Sequence, residues 1–414
     1  MLTLGIPSFR LEKDVVNAEI EILKELGVQI ETGVEVGKDV TLTELRSRGF
    51  EAFYLAVGAQ AGRKLNIEGE EAPGVLAGVD FIRDVNLGTA GKLSGKTVVI
   101  GGGNVAIDVA RTAARYGAST VEMRCLESRE GMPALEEEIE EALEEDILIT
   151  NGWGPRRIVT ENGKTTGVEF VKCLSVLDEE GRFSPKFDEE ATEIVPADHV
   201  LISVGQAMDW GKLLEGTAVQ LNPNGTVKAD GTTYQTDESD IFAGGDALTG
   251  PKFAIDAIAM GKEAAISIHR QVHGHTLTLG RLNRDYRPLD RDELDLGGYD
   301  RLPRQKAEHR KEAEAARDSF ADSRGMLTVD QVKAETERCL GCGATTVDQY
   351  QCIGCGVCTT KCKFDAVSLS RRYDNANKEL LEMRPAIMKN MVKRKLRIAV
   401  TKPIKKLQAA FSGN

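Results

Sequence analysis

The run Thr97-Val98-Val99-Ile100 stops abruptly at three glycines, and this junction constrains the fold more than any other feature of the chain. Four consecutive β-branched residues read as a buried strand. Gly101, Gly102 and Gly103 then turn the chain, and Asn104-Val105-Ala106-Ile107-Asp108-Val109-Ala110-Arg111 continues with helical apolar periodicity. In this Gly-x-Gly-x-x-Ala pattern Gly101 permits the tight turn, Gly103 lets a pyrophosphate approach the backbone, and Ala106 lets helix and strand pack closely. The helix N-terminus, opened by Asn104 and Val105, presents N–H donors to phosphate. Glu127 closes the next strand, 24 positions beyond Gly103, where a carboxylate accepts hydrogen bonds from a ribose and repels a 2′-phosphate. These residues predict a dinucleotide site that favours NAD over NADP. Arg124 and Arg129 lie nearby as candidate phosphate ligands that would reverse the preference.

The surrounding pattern is α/β. Val16, Ile20 and Leu23 fall at helical spacing within 11–26, residues 28–34 alternate like a strand, and further strands are expected over Phe53–Val57, Thr97–Ile100 and Thr120–Leu126. Strands alternating with helices predict a parallel sheet. From Ala134 to Ile147 the chain is dense in Glu but keeps Leu135, Ile139, Leu143 and Ile147 four apart, so the charges read as the solvated face of an amphipathic helix. Turn signals at Glu161-Asn162-Gly163 and Asn222-Pro223-Asn224-Gly225 predict an antiparallel insertion within 148–235.

Charge and hydropathy exclude two classes. A net charge of −12 over 414 residues does not suit a general nucleic-acid surface. No stretch approaches the roughly 20 apolar residues of a membrane span, and Met1 to Pro7 lack the basic and apolar regions of a secretory signal, so a cytoplasmic protein is expected.

Six of the eight cysteines crowd between Cys339 and Cys362. Cys352-x-x-Cys355-x-x-Cys358-x-x-x-Cys362 is the spacing of bacterial ferredoxins and predicts one [4Fe–4S] cluster. Cys339 and Cys342 lie just upstream, as candidate ligands of a second cluster completed by another donor. The competing reading is a zinc ribbon of Cys339, Cys342, Cys352 and Cys355, which leaves Cys358 and Cys362 without a role. Beyond Ser370 the chain carries twelve Lys or Arg against three Asp or Glu, a basic amphipathic tail that suits docking on an acidic subunit better than the alternative, a membrane surface.

Several motifs together resemble the glutamate synthase small-subunit family of FAD- and NAD(P)H-binding oxidoreductases. They are the turn Gly101–Ala106, Ser128-Arg129-Glu130-Gly131-Met132-Pro133-Ala134, Gly5-Ile6-Pro7-Ser8-Phe9-Arg10-Leu11, and Asp240-Ile241-Phe242-Ala243-Gly244-Gly245-Asp246. The resemblance covers most of residues 1–270. It implies two Rossmann-like domains on the pyridine nucleotide-disulfide oxidoreductase fold, with hydride passing between nicotinamide and FAD. It also implies a crossover turn at Gly58, an aspartate at Asp246, beside Gly245, bonding the FAD ribityl chain, and a helix carrying Ala257 aimed at the flavin. Leu126 and Glu127 stand where NADP-using members carry paired arginines. Arg338-Cys339-Leu340-Gly341-Cys342-Gly343 resembles the family's cysteine-bearing element.

The glycine-rich unit that holds the FAD pyrophosphate in that family belongs before Gly5. A partner polypeptide is expected to supply it, with truncation or loss of flavin binding as alternatives.

The expected organisation is a partial FAD-binding domain (1–92), an NAD(P)-binding Rossmann domain (93–205), a return segment of the FAD domain (206–271), a connector (272–335), a ferredoxin-like iron–sulfur module (336–370) and a docking tail (371–414). The expected function is an NAD(P)H-dependent flavin and iron–sulfur oxidoreductase subunit. It would pass electrons to ferredoxin or a partner subunit, in a multi-subunit complex of the bifurcating or transhydrogenase kind. The rival from another class is a flavin-free wiring or scaffold subunit. A disulfide reductase is set aside, because the body offers only Cys125 and Cys173.

Overall fold

The computed structural model describes residues 1–281, 302–307, 319–322, 324–339, 347, 352–361, 367–370 and 380–411. Two units are present, Met1–Arg338 and Cys339–Asn414.

The first unit runs α1 (Lys13–Glu25), α2 (Leu42–Ser47), β1 (Phe53–Leu55), β2 (Ala61–Gly62), β3 (Val75–Ala77), α3 (Gly78–Leu87), β4 (Lys96–Ile100), α4 (Asn104–Arg115), β5 (Thr120–Cys125), α5 (Glu136–Glu144) and β6 (Leu148–Asn151). It continues through β7 (Trp153–Glu161), β8 (Lys164–Leu177), β9 (Phe183–Pro196), β10 (His199–Ile202), β11 (Gln206–Ala207), β12 (Ile241–Ala243), α6 (Asp246–Thr249), α7 (Ala254–Val272) and α8 (Val329–Glu337). The second unit holds α9 (Val357–Lys361) and α10 (Leu380–Phe411).

The central sheet is parallel, in the order β3-β10-β4-β5-β6. Both of its faces are covered, which is why β4 is apolar without alternation. Val99 joins Phe81, Ile82, Ile107, Met123, Ile139 and Leu201 under the helices. Val98 and Ile100 face the other way, onto Ile158, Val168, Phe170, Val200 and Ile202. That second layer includes the antiparallel sheet β7-β8-β9, the insertion expected from the turn signals. Asn162 and Gly163 both take positive φ, 51° and 74°, as a two-residue hairpin between β7 and β8 requires.

The elements around β1 and β12 form a smaller layer. β1 pairs in parallel with β12, Leu55 opposite Ala243, above a core that includes Leu42, Leu55, Val227 and Ile241.

Two expectations are corrected. Residues 28–34 form no strand, and Val28, Ile30 and Val34 lie about half exposed. Alternation alone does not make a strand, because the backbone needs a hydrogen-bonded neighbour. The charge run of α5 is also not simply solvated. Glu138 is 6% exposed and accepts from Arg10, Arg111 donates to Glu141 and Glu145, and Arg304 and Lys306 pair with Glu137 and Glu140. One face of this helix is a charged seam that holds chain segments from both ends of the first unit.

Candidate functional site

The register of the central sheet builds the candidate nucleotide site. Ile100 lies opposite Ile202 on one side and Arg124 on the other, so Gly101–Gly103, Ser203–Gly205 and Leu126–Glu127 leave the sheet together at its carboxyl edge. The chain departs from β4 to β5 on one side, while β10 returns on the other. This is a topological switch point, where open α/β sheets bind ligands.

The three glycines have different duties. Gly101 has φ +142°, and a β-carbon there would stand 2.4 Å from the Ser203 carbonyl oxygen. Gly102 is closed in by Cys125 and by Glu127, whose Oε2 lies 2.9 Å from the place of a β-carbon. Gly103 has an ordinary φ of −94° and open space beside it, with Pro133 Cγ the nearest atom at 3.9 Å. Sterics therefore demand glycine at the first two positions, whereas the third leaves a cradle that a side chain would fill.

Helix α4 begins at Asn104 without a side-chain cap, so its first N–H groups are oriented toward that cradle. Asn104 Oδ1 accepts from Leu135 N at 2.8 Å, and Gly102 O accepts from Ala134 N at 3.2 Å. The Ser128–Ala134 segment is thereby pinned beside the helix start. Val105 is half-buried and Ala106 fully buried. Ser203 Oγ is buried without a hydrogen-bond partner among the described residues, a polar atom left over at the switch point. An uncapped helix start, an open glycine cradle and a nearby carboxylate together fit a dinucleotide.

Behind Glu127, Cys125 Sγ accepts from Asn151 Nδ2 at 3.2 Å and donates to the Glu127 carbonyl at 3.8 Å. Burial, reinforced by the Glu127 charge, pushes the Cys125 thiol up to about 12, so it remains neutral. Cys125 and Asn151 had no distinguishing motif; only the strand register brings them here. Arg129 pairs with Glu136, and Arg124 is buried with Glu122 and Glu193.

The second edge is set by the β1–β12 pair, whose carboxyl ends carry Gly58 and Gly245. Gly245 takes φ +62°, and its missing β-carbon would lie 3.3 Å from Ala257 Cβ, which brings Gly245, Asp246 and Ala257 together. Asp246 Oδ1 accepts from Lys252 N at 3.1 Å, holding the loop that leads into the uncapped start of α7. Gly58, φ +71° with open space around it, lines a cavity of about 1510 Å³ along with Tyr54, Trp210 and Ile202. The cavity does not include Gly245 or Asp246.

In the second unit Cys352, Cys355 and Cys358 are exposed free thiols, and Cys339 is exposed. Gly354 and Gly356 between them have φ of +67° and +77°, turning the chain as a wrapped cluster loop needs. Cys342 and Cys362 lie outside the described residues. Among the described residues no three potential ligands converge, but the donor set of closely spaced thiols fits an iron–sulfur cluster.

Fold and site define a class: an α/β oxidoreductase body built around nucleotide-binding turns and joined to an iron–sulfur module. The family comparison is more specific. Residues 7–261 match the pyridine nucleotide-disulphide oxidoreductase model and residues 345–368 match the 4Fe-4S binding domain. The chain belongs to the pyridine nucleotide-disulphide oxidoreductase family, and these two matches imply FAD, NAD(P)H and a [4Fe–4S] cluster.

The NADP(+)-dependent formate dehydrogenase subunit beta of Moorella thermoacetica is 35% identical over 83% of this chain and 49% of its own length. The NADPH-Fe(3+) oxidoreductase subunit beta of Geobacter sulfurreducens is 31% identical over 83% and 55%. The glutamate synthase [NADPH] small chain of Escherichia coli is 34% identical over 65% and 60%. The chain thus spans about half the length of the curated relatives it matches. FprA from Mycobacterium tuberculosis shares the fold, with a TM-score of 0.55 at 20% identity over 66% of this chain and 75% of that one. No described helix is long and apolar enough to cross a membrane.

Proposed function

We propose that the chain is the electron-transferring part of an NAD(P)H-dependent flavin and iron–sulfur oxidoreductase. The observation that carries this reading is the open cradle at Gly103 before the uncapped helix α4, in a chain that also carries a ferredoxin-spaced cysteine loop. Gly101–Ala106 hold the nicotinamide nucleotide, Gly245, Asp246 and the start of α7 receive the flavin, and Cys352, Cys355, Cys358 and Cys362 ligate the cluster, with Cys339 and Cys342 available for a second. Bound FAD supplies the conversion between a two-electron hydride and single electrons, which neither nicotinamide nor a cluster performs alone. The residues around it bind, orient and screen; no side chain is assigned as a proton donor.

The FAD pyrophosphate calls for a further glycine-rich unit, whose place we assign to the open side of β1. Three features support this. The second edge of β1 has no strand partner among the described residues. The 1510 Å³ cavity lies along that strand. On α1, Val15, Ile22 and Leu23 are 51%, 47% and 47% exposed. The relatives named as subunits favour a multi-subunit complex, with ferredoxin or a partner subunit as electron acceptor. Clustered thiols suit a reducing compartment, and the cytoplasm is the proposed location.

The test is anaerobic addition of NADH or NADPH to the purified natural assembly. Bleaching of a flavin band, with FAD released on denaturation, is expected. An assembly containing no FAD returns the chain to a wiring or scaffold role.

A further inference from the structure

We propose that the Gly101–Gly103 turn takes NAD(H) in preference to NADP(H), with Glu127 as the discriminating residue. The inference rests on the nicotinamide reading above and sharpens it. It also departs from the relatives, several of which are named for NADP(+) or NADPH.

The strand register fixes where Glu127 stands. β4 and β5 are adjacent and parallel, with Ile100 opposite Arg124, so Glu127 leaves the sheet beside the turn that follows Ile100. Its Oε2 lies 2.9 Å from the place of a β-carbon on Gly102, which puts the carboxylate at the rim of the turn. When a pyrophosphate lies over the turn, the adenosine ribose falls at that rim. A carboxylate there accepts from both ribose hydroxyls, whereas a 2′-phosphate would bring nearly two further negative charges against it. The Glu127 main chain is fixed from behind, its carbonyl accepting from Gly152 N at 3.1 Å and Asn151 Nδ2 at 3.2 Å, so its backbone cannot easily withdraw.

The cations that would welcome a 2′-phosphate are engaged. Arg124, with 5% of its side chain exposed, donates to Glu122 at 2.7 Å and Glu193 at 2.8 Å and packs on the Trp153 and Phe170 rings. Arg129 donates two hydrogen bonds to Glu136. Lys172, whose Nζ would be 3.1 Å from a β-carbon on Gly152, sits over Trp153 at 5.0 Å. Recruiting Arg124 would strand two carboxylates, one of which, Glu122, has only 20% of its side chain exposed.

Calorimetric titration of the natural holoprotein with NAD+ and with NADP+ tests this without relying on turnover. NAD+ is expected to bind at least about tenfold more tightly. Glu127→Gln, which keeps the shape and removes the charge, is expected to narrow the gap to about threefold or less. NADP+ binding as tightly as NAD+ would overturn the inference and leave the nicotinamide site standing, as would a Glu127→Gln variant with an unchanged ratio. Failure of both nucleotides to bind would overturn the nicotinamide reading and, with it, the inference.

Discussion

Arg10 donates to Asp108 at 2.8 Å across 98 residues of chain, tying the segment before α1 to the buried side of helix α4. The same guanidinium also reaches Glu138. Phe9, 2% exposed, lies beneath Arg111 and Arg115 at 4.8 and 4.3 Å from its ring centre. Helix α4, which we assign to the nucleotide, is therefore braced at the end opposite Gly103 by one charged and aromatic cluster.

Asp108 gives that brace a pH dependence. Burial pushes its carboxyl up to about 6, against the pull of Arg10. The folded state thus keeps a proton that the unfolded chain releases near 3.8. This contribution to stability is fully present below that value and is lost as pH rises through about 6. The loss is about 3 kcal/mol for a shift of this size. Asp108→Asn cannot titrate, so the melting temperature of the unsubstituted protein should fall relative to the variant between about pH 4 and pH 7. Parallel melting curves across that range would contradict the assignment.

Phe9→Ala should destabilise the first unit by about 3–4 kcal/mol, through the cavity and the lost ring contacts. Phe320 packs on both Phe9 and Tyr116. Limited proteolysis should therefore cut near Phe320 earlier in the variant. Denaturant unfolding gives the first quantity and fragment mapping the second.

The glycines of the turn separate folding from binding. Gly101→Ala forces a β-carbon into the Ser203 carbonyl at positive φ and should cost about 2–3 kcal/mol. Gly103→Ala has room and an ordinary φ, so its stability should change by about 1 kcal/mol or less. It should nevertheless bind nucleotide at least about tenfold more weakly, because the methyl group occupies the pyrophosphate cradle. Melting curves and calorimetry on the two variants would distinguish these effects.

For the cysteine loop, Cys355→Ser should remove one cluster, seen as a loss of about four iron and four acid-labile sulfide per chain after anaerobic purification. Cys339→Ser should leave that cluster in place. Zinc in place of iron in the unsubstituted protein would restore the zinc-ribbon reading.

The parallel sheet and the glycine turn that ends β4 were legible in the sequence, because Val98, Val99 and Ile100 are buried on two covered faces and so form an unbroken apolar run. Asn162-Gly163 announced its hairpin through the positive φ both residues adopt. The grouping of Gly245 with Ala257 was suggested only by resemblance, since Gly58, Gly245 and Ala257 have no spacing that marks them out. Residues 28–34 misled because alternation reports which side chains prefer burial and not whether a neighbouring strand exists. The acidic helix α5 misled because three of its partners, Arg10, Arg304 and Lys306, lie more than 100 positions away. Cys125 and Asn151 became relevant to Glu127 only once the β5–β6 register placed them opposite one another.

The central claim is that electrons from a nicotinamide nucleotide reach an iron–sulfur centre in this chain. Low-temperature electron paramagnetic resonance of the anaerobic natural assembly, recorded before and after adding NADH, tests it most directly. A reduced [4Fe–4S] signal that appears with NADH and is lost in Gly103→Ala is the expected result. A cluster that dithionite reduces, but that neither NADH nor NADPH does, would contradict the account.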